Sequence, residues 1–403
     1  MPTSPVKIIN DPIYGFIMVP KGILTDLMDH PWFQRLRRIK QLGLSHFVYP
    51  GAVHTRFQHA LGAFHLMTKS LETLKLKGYP ISAEEFEAAQ IAILLHDVGH
   101  GPFSHVLEHS LVPVDHENLT LLIMNNLNEE FNGALNLAIQ IFQKKYHRQF
   151  LCQLVSSQLD VDRMDYLNRD SFFTGVVEGT IGYDRILNMM GIDHDRLVFE
   201  EKAVLSIESY LSARRLMYWQ VYMHKTSLMA EHMLEVLLSM CKLETANLPS
   251  APESLHYFLF GNLQNTAKKD PNSLLRAFQK IDDNDIEMLL KTCSRSKDHL
   301  ISYLANCLLS RKFFKLIYNK LNFSQDVLQG YRKQTENTLA ISQNDSSMLV
   351  QENYSEFQAY NLNEDEIMIQ TKSSGIIKLS EAISLEHFTI KELKFFIGIP
   401  KEI

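Results

Sequence analysis

The chain has 403 residues, 45% hydrophobic and 21% charged, which is enough to bury a large core and to form more than one lobe. A net charge of −6 argues against a general nucleic-acid coat. Cys152, Cys241, Cys293 and Cys307 form no C-x-x-C pair and read as buried thiols, which excludes a disulfide frame or a zinc knot.

The first residues lack the apolar core of a signal peptide, and no apolar run reaches the roughly 18 residues that span a bilayer. A cytoplasmic protein without a membrane partner is expected. Val6 to Val19 reads as extended, with turn signals at Asn10-Asp11-Pro12 and Tyr14-Gly15. Pro31 opens a predicted helix that runs through Phe33, Leu36 and Ile39 to Leu42 and stops at Gly43. Its basic run, Arg35 to Lys40, reads as the charged face of that helix. A second helix is predicted from Arg56 to about Leu76. Ser82-x-x-Glu85 is a capping box that starts a third, whose apolar run Ala88 to Leu95 ends at His96-Asp97. Gly99-His100-Gly101-Pro102 breaks the chain there.

Phe150 to Asp170 is expected to be one long helix with Asp162, Tyr166 and Asp170 along one face. Ile207 to about Lys242 is predicted as another. Pro249 and Pro252 mark a lobe boundary, and helices resume from Ser254 to about Tyr318, one starting at Asp282-Asp283-Asn284-Asp285. Residues 335–363, rich in Asn, Gln, Ser and Glu, read as a long loop. Ile367–Thr371, Gly375–Leu379 and Lys394–Ile399 read as short strands. The expected fold is mainly α, with a helical second lobe and a small α+β tail.

His59, His96, Asp97 and Asp162 give the order His, His-Asp, Asp. Nitrogen and oxygen donors of this kind suit a borderline or hard divalent metal, and helical bundles gather such ligands from separate helices. The pattern points to a metal-dependent hydrolase. His100, His105 and His116 form a second layer of imidazoles able to exchange protons near neutrality. Taken singly, most of the 17 histidines read as surface or satisfied residues, and His54, His65 and His109 are left in that class.

The stretch His96-Asp97-Val98-Gly99-His100-Gly101-Pro102-Phe103-Ser104-His105 resembles the central motif of the HD-domain phosphohydrolases. More closely, it resembles the deoxynucleoside triphosphate triphosphohydrolases related to the sterile-alpha-motif and HD-domain protein. Ile9 to Pro12, Phe33 to Arg37, Ile39 to Gly43, Arg56 to His59 and Asp160 to Tyr166 match that family in order. Weaker similarity runs through Tyr222 to Lys225 and Ser310 to Lys315. The resemblance spans residues 7 to about 320, and no sterile-alpha-motif segment is expected ahead of it.

The resemblance implies an HD-domain core over about 46–245, preceded by a regulatory segment, 1–45. A helical lobe, 250–325, and a tail, 326–403, would follow. It implies a metal (iron, manganese, zinc, cobalt or nickel) on His59, His96, Asp97 and Asp162, with magnesium able to join the nucleotide. The implied reaction converts a deoxynucleoside triphosphate to deoxynucleoside and triphosphate, with His100, His105, His116 and Asp97 in catalytic roles. Arg56 and Arg163 would meet phosphates. Gln41, Leu42, Tyr166, Asp170, Arg214, Tyr218 and Tyr222 would form the rest of the substrate site, with Tyr222 crowding the 2′ carbon. Alone, Tyr166 and Tyr222 would read as core aromatics, Arg163 as a salt-bridge partner and Gln41 as a surface residue.

An activating guanosine or deoxyguanosine triphosphate is implied at Lys7, Ile8, Asn10, Asp29, Gln34 and Arg37. Arg185, Lys225, Arg311 and Lys315 would reach its phosphates across subunits of a homo-oligomer, a dimer or tetramer. The chain departs from the family where Tyr14, Phe16 and Tyr218 replace histidines and Arg163 replaces a lysine. The His105–His116 spacing is also short. The competing readings are an HD enzyme acting on nucleoside monophosphates or other phosphate esters, and a non-catalytic nucleotide sensor. Nucleic acid is not an expected partner.

Overall fold

Two turn signals close the first element pair. In the computed structural model, which describes residues 5–103, 111–112, 114–243, 251–261, 270–373 and 375–403, the chain opens with a hairpin. Strands β1 (Val6–Asp11) and β2 (Gly15–Pro20) pair antiparallel, with Asp11 opposite Gly15. Asp11 Oδ1 accepts from the Ile13 and Tyr14 amides at 2.9 and 3.0 Å, which fastens the turn.

Helices α1 (Ile23–Asp29) and α2 (Pro31–Arg35) follow, and the chain then leaves helical geometry. This corrects the helix expected up to Leu42. After a 3₁₀ turn at Leu36–Arg38, Ile39 is extended and Lys40 bridges Thr55. Tertiary partners outweigh local propensity here. The Lys40 amide donates to Asp283, and the Gln41 amide to the His54 carbonyl. The basic run is a solvated face only in part, since Arg37 and Arg38 are exposed. Arg35 is buried, Arg37 lies over the Phe57 ring, Arg38 pairs with Asp282, and Lys40 pairs with Glu287.

The central bundle consists of α3 (Arg56–Leu76), α4 (Ala83–Leu95), α5 (His116–Glu130), α6 (Asn136–Phe142), α7 (Gln149–Val155) and α8 (Val161–Thr174). The long helix expected over Phe150–Asp170 is therefore two. Asp160 breaks it by accepting from the Ser157 and Arg163 amides, capping α8 from outside. Gly175, at φ 76°, ends α8 in a left-handed cap.

Helix α9 (Tyr183–Asn188) leads to the hairpin β3 (Met190–Asp193) and β4 (Arg196–Glu200). The helix expected over Ile207–Lys242 is also interrupted. Helix α10 (Val204–Met217) passes into a π turn at Tyr218–Tyr222, and α11 (Lys225–Leu243) restarts beyond it. The helical lobe contains α12 (Glu253–Phe260), α13 (Pro271–Phe278), α14 (Asp283–Cys293) and α15 (His299–Leu309). Asp282 caps α14, as its acidic run predicts.

Strand β5 (Lys315–Asn319) comes next. The loop expected over 335–363 is ordered as α16 (Gln325–Leu339), α17 (Gln343–Leu349) and β6 (Glu352–Phe357). Ser324 and Ser342 cap those helices, and buried Leu328 and Leu349 anchor them. Strands β7 (Met368–Gln370) and β8 (Ile376–Lys378), short helices α18 (Leu379–Ala382) and α19 (Glu386–Thr389), and β9 (Glu392–Ile399) complete the chain. The expected strands are present, but they join earlier ones: β7 runs parallel to β4, and β9 lies between β5 and β6. All four cysteines are buried and free, and no described helix is long and apolar enough to cross a membrane.

Candidate active site

Thr55 and Gln58 form a capping box at the start of α3, with the Thr55 amide donating to Gln58 Oε1 at 2.8 Å. That box sets Arg56 and His59 in the first turns of the helix. The predicted Ser82–Glu85 box starts α4, and His96 is its C-terminal cap. Gly99 then lets α5 approach closely, since a Cβ there would lie 2.2 Å from the His116 carbonyl oxygen. Thr120 ties the turn by donating to the His96 carbonyl and accepting from the Gly99 amide.

These constraints bring the four expected ligands together. His59 and His96 Nε2 are 3.2 Å apart, and Asp162 Oδ1 lies 2.9 Å from the first and 3.4 Å from the second. Asp97 oxygens stand 3.8 Å from His59 Nε2 and 3.5 Å from His96 Nε2. Each imidazole has its far nitrogen engaged: His59 Nδ1 donates to Asp165 at 2.7 Å, and His96 Nδ1 to the Ile93 carbonyl at 2.6 Å. That turns Nε2 of both rings toward the shared site, where a bound ion would take the place of the His59 proton. Two imidazoles and two carboxylates so arranged fit a divalent ion.

Electrostatics agree with this fit. Burial alone would push the His59 imidazolium down, but hydrogen bonds to Asp162 and Asp165 reverse this and raise its pKa to about 10. Burial opposes ionisation of Asp97, yet Arg56, His96 and His100 hold its carboxyl well below the usual range. Arg56 donates to Asp97 Oδ2 at 2.6 Å. Burial and Arg56 together push His100 well below an ordinary histidine, which leaves it neutral. His100 Nε2 lies 3.2 Å from Asp97 Oδ1, and its ring stacks on His116 with centroids 4.0 Å apart.

A cavity of about 400 Å³ opens over this cluster. Gln41, Leu42, Tyr166, Asp170, Tyr218 and Tyr222 line it beside the ligands, Arg56, His100 and His116.

The HD domain model matches residues 56–170, and the HD associated region matches 181–251. A Bacteroides thetaiotaomicron phosphohydrolase of known crystal structure is 45% identical, with TM-score 0.93 over 98% of this chain and 99% of that one. The chain belongs to the HD-domain phosphohydrolases.

The HD phosphohydrolase is also 35% identical to the uncharacterized Bacillus subtilis protein YwfO, over 72% of this chain and 70% of that protein. Human deoxynucleoside triphosphate triphosphohydrolase SAMHD1 is 29% identical over 57% of this chain, which spans 44% of the human protein. This likeness relates the HD phosphohydrolase to SAMHD1.

Some expected contacts fall elsewhere. Arg163 is not in the cavity wall; its Nε lies 3.3 Å from Asp160. Arg214 is also outside the wall and donates to the Ala359 carbonyl. His105 lies outside the described residues, as does His109. Glu117, Phe142, Val155 and Ser156 line the cavity without having been singled out. Among them, Glu117 adjoins His116 in sequence, the one available signal. His54, left aside as an ordinary histidine, is buried against Asp170 at 2.7 Å.

A second cavity, about 300 Å³, lies beneath the hairpin and is lined by Lys7, Asn10, Gln34 and Arg37 among others. Asp29 is not in its wall but pairs with Lys7 at 2.8 Å, and Ile8 faces outward. Arg185 donates to the Lys202 carbonyl and Arg311 to that of Phe47. Lys225 begins α11 and Lys315 begins β5, and none of these four cations lines the second cavity.

Proposed function

We propose that this phosphohydrolase converts deoxynucleoside triphosphates to deoxynucleoside and triphosphate. The observation that carries the reading is the convergence of His59, His96, Asp97 and Asp162 at one end of a cavity whose other walls include Gln41, Asp170 and Tyr222. A divalent ion held there supplies a Lewis acid for the α-phosphoryl group and lowers the pKa of water. Arg56 offers fixed positive charge to the phosphates beside Asp97. His100, with His105 and His116, stabilises charge and relays a proton to the departing sugar oxygen, taking up at one ring nitrogen the proton shed by the attacking water as the other gives up its own. Asp170 and Gln41 receive the 3′-hydroxyl, and Tyr222 leaves no room for a 2′-hydroxyl.

In the same reading the second cavity takes a guanine nucleotide, GTP or dGTP, against Lys7, Asn10, Gln34 and Arg37. Arg185, Lys225, Arg311 and Lys315 would come from a neighbouring subunit. Residues 1–45 are then regulatory, 46–245 catalytic, and 250–325 and 326–403 supporting, in a cytoplasmic enzyme. The SAMHD1 likeness supports this reading.

One observation favours a second reading, a nucleoside monophosphate or other phosphomonoester. Arg163 and Arg214 are engaged by Asp160 and the Ala359 carbonyl, which leaves fewer free cations for phosphates. A single incubation decides. The protein is given Mn²⁺ and each deoxynucleoside triphosphate, with and without GTP or dGTP, and the products are separated. Nucleoside with intact triphosphate is expected, faster with the guanine nucleotide. Inert triphosphates, with orthophosphate released from a monophosphate, would replace this reading by the second.

A further inference from the structure

We propose that Asp11, Arg169 and Asp165 form a buried positioning chain that tunes His59 as a metal ligand and makes the first hairpin part of the metal centre. The inference rests on the metal reading of the His59, His96, Asp97 and Asp162 cluster.

The chain of contacts is continuous. Asp165 Oδ2 accepts from His59 Nδ1 at 2.7 Å. Arg169, one turn further along α8, grips Asp165 with both arms of its fork, Nε to Oδ2 at 2.9 Å and Nη2 to Oδ1 at 3.0 Å. Its remaining arm, Nη1, donates to Asp11 Oδ2 at 2.8 Å, 158 positions earlier in the sequence. Arg169 and Asp165 are fully buried, and Asp11 is 9% exposed.

Charge explains why three members are needed. A carboxylate on Nδ1–H makes an imidazole a more basic ligand. Arg169 alone would neutralise Asp165 and weaken that effect. Asp11 balances the guanidinium, so the trio retains one net negative charge beside the imidazole.

Space is reserved for the fork. Gly62 sits three residues after His59 on α3, and a Cβ there would lie 1.9 Å from Asp165 Oδ1 and 2.2 Å from Arg169 Nη2. Asp11 also lines the second cavity with Lys7 and Asn10. The hairpin carboxylate thus touches both that cavity and, through two buried side chains, a metal ligand.

Asp11→Asn tests the chain, since it removes the charge and keeps the size. Mn²⁺ binding to the metal-free, full-length protein is followed at about 25 °C by the electron paramagnetic resonance of free Mn²⁺, alongside thermal melting. The variant is expected to bind Mn²⁺ about 10- to 100-fold more weakly than wild type while still folded. A purely structural role would lower the melting temperature and leave the Mn²⁺ affinity unchanged, and that result overturns the proposal. Wild type that binds none of Mn²⁺, Fe²⁺, Co²⁺, Ni²⁺ and Zn²⁺, each tried in turn by calorimetry, would overturn the metal reading, and this inference with it. If Asp11→Asn does not fold, Arg169→Lys keeps the charge and loses the fork. It carries the same expectation, and wild-type affinity there overturns the chain.

Discussion

His54 Nε2 lies 2.7 Å from Asp170 Oδ1, and the other Asp170 oxygen accepts from the Tyr222 hydroxyl at 2.8 Å. The carboxylate is held from two sides, with Asp170 and Tyr222 in the cavity wall and His54 behind it. His54→Ala should let Asp170 swing without disturbing the metal ligands. The expected result is a fall in kcat/KM of about 10- to 100-fold with bound metal at the wild-type level. Kinetics and elemental analysis on one preparation check this, and metal loss would contradict the assigned role.

Asp162 is the proposed ligand on α8, and it is 29% exposed against 1% for His59. Asp162→Ala should abolish turnover and strip the ion, because it removes a carboxylate without changing the fold of α8. Elemental analysis after dialysis is the measurement. Metal and rate both at wild-type level would refute the ligand assignment.

Gly99→Ala should be costly at a distance from any reacting atom. The added Cβ would stand 2.4 Å from the Thr120 amide as well as against the His116 carbonyl. Relief requires α5 to move away, at about 2 kcal/mol or more, and would carry His116 off His100. Urea unfolding should show a lower midpoint. An unchanged midpoint would mean that the turn yields easily.

The His59 imidazolium, raised to about 10, predicts how metal binding responds to pH. The metal-free site holds a proton that the ion must displace, so affinity should rise with pH, by about tenfold per unit for one displaced proton. For the metal-free protein the sign runs the other way. Stability from the raised imidazolium is complete below the ordinary histidine value and is lost as pH rises through about 10. Calorimetry in two buffers should detect proton release on Mn²⁺ binding. Affinity flat between pH 6 and 8 would be inconsistent with a protonated site.

The proposed metal ligands are legible because each sits near a helix boundary written in local chemistry. Ser82 and Glu85 announce α4, and the apolar run carries the chain to His96-Asp97. Spacing of four placed Asp162, Tyr166 and Asp170 on one face, and all three line the cavity. Thr55-x-x-Gln58 is an equally readable box at the start of α3. Other features depended on distant partners. Helix α2 stops early because residues near its end bond to the helical lobe: Arg35 donates to the Ile281 carbonyl and the Lys40 amide to Asp283. No local pattern reports an ion pair between Asp11 and Arg169. The break before α8 was visible in Asp160, an acidic cap residue, but the apolar pattern on both sides concealed it. In 335–363 a polar composition masked helices that touch the body through few apolar side chains.

Tyr218, in the cavity wall, stacks on Phe357 of β6 with ring centroids 3.8 Å apart. That strand is held in place by β9, which comes later in the chain. During synthesis, therefore, all four metal ligands can emerge and fold while one side of the cavity still lacks its backing. The backing of the pocket waits for β9 to pair between β5 and β6, a non-local step and therefore a slow one.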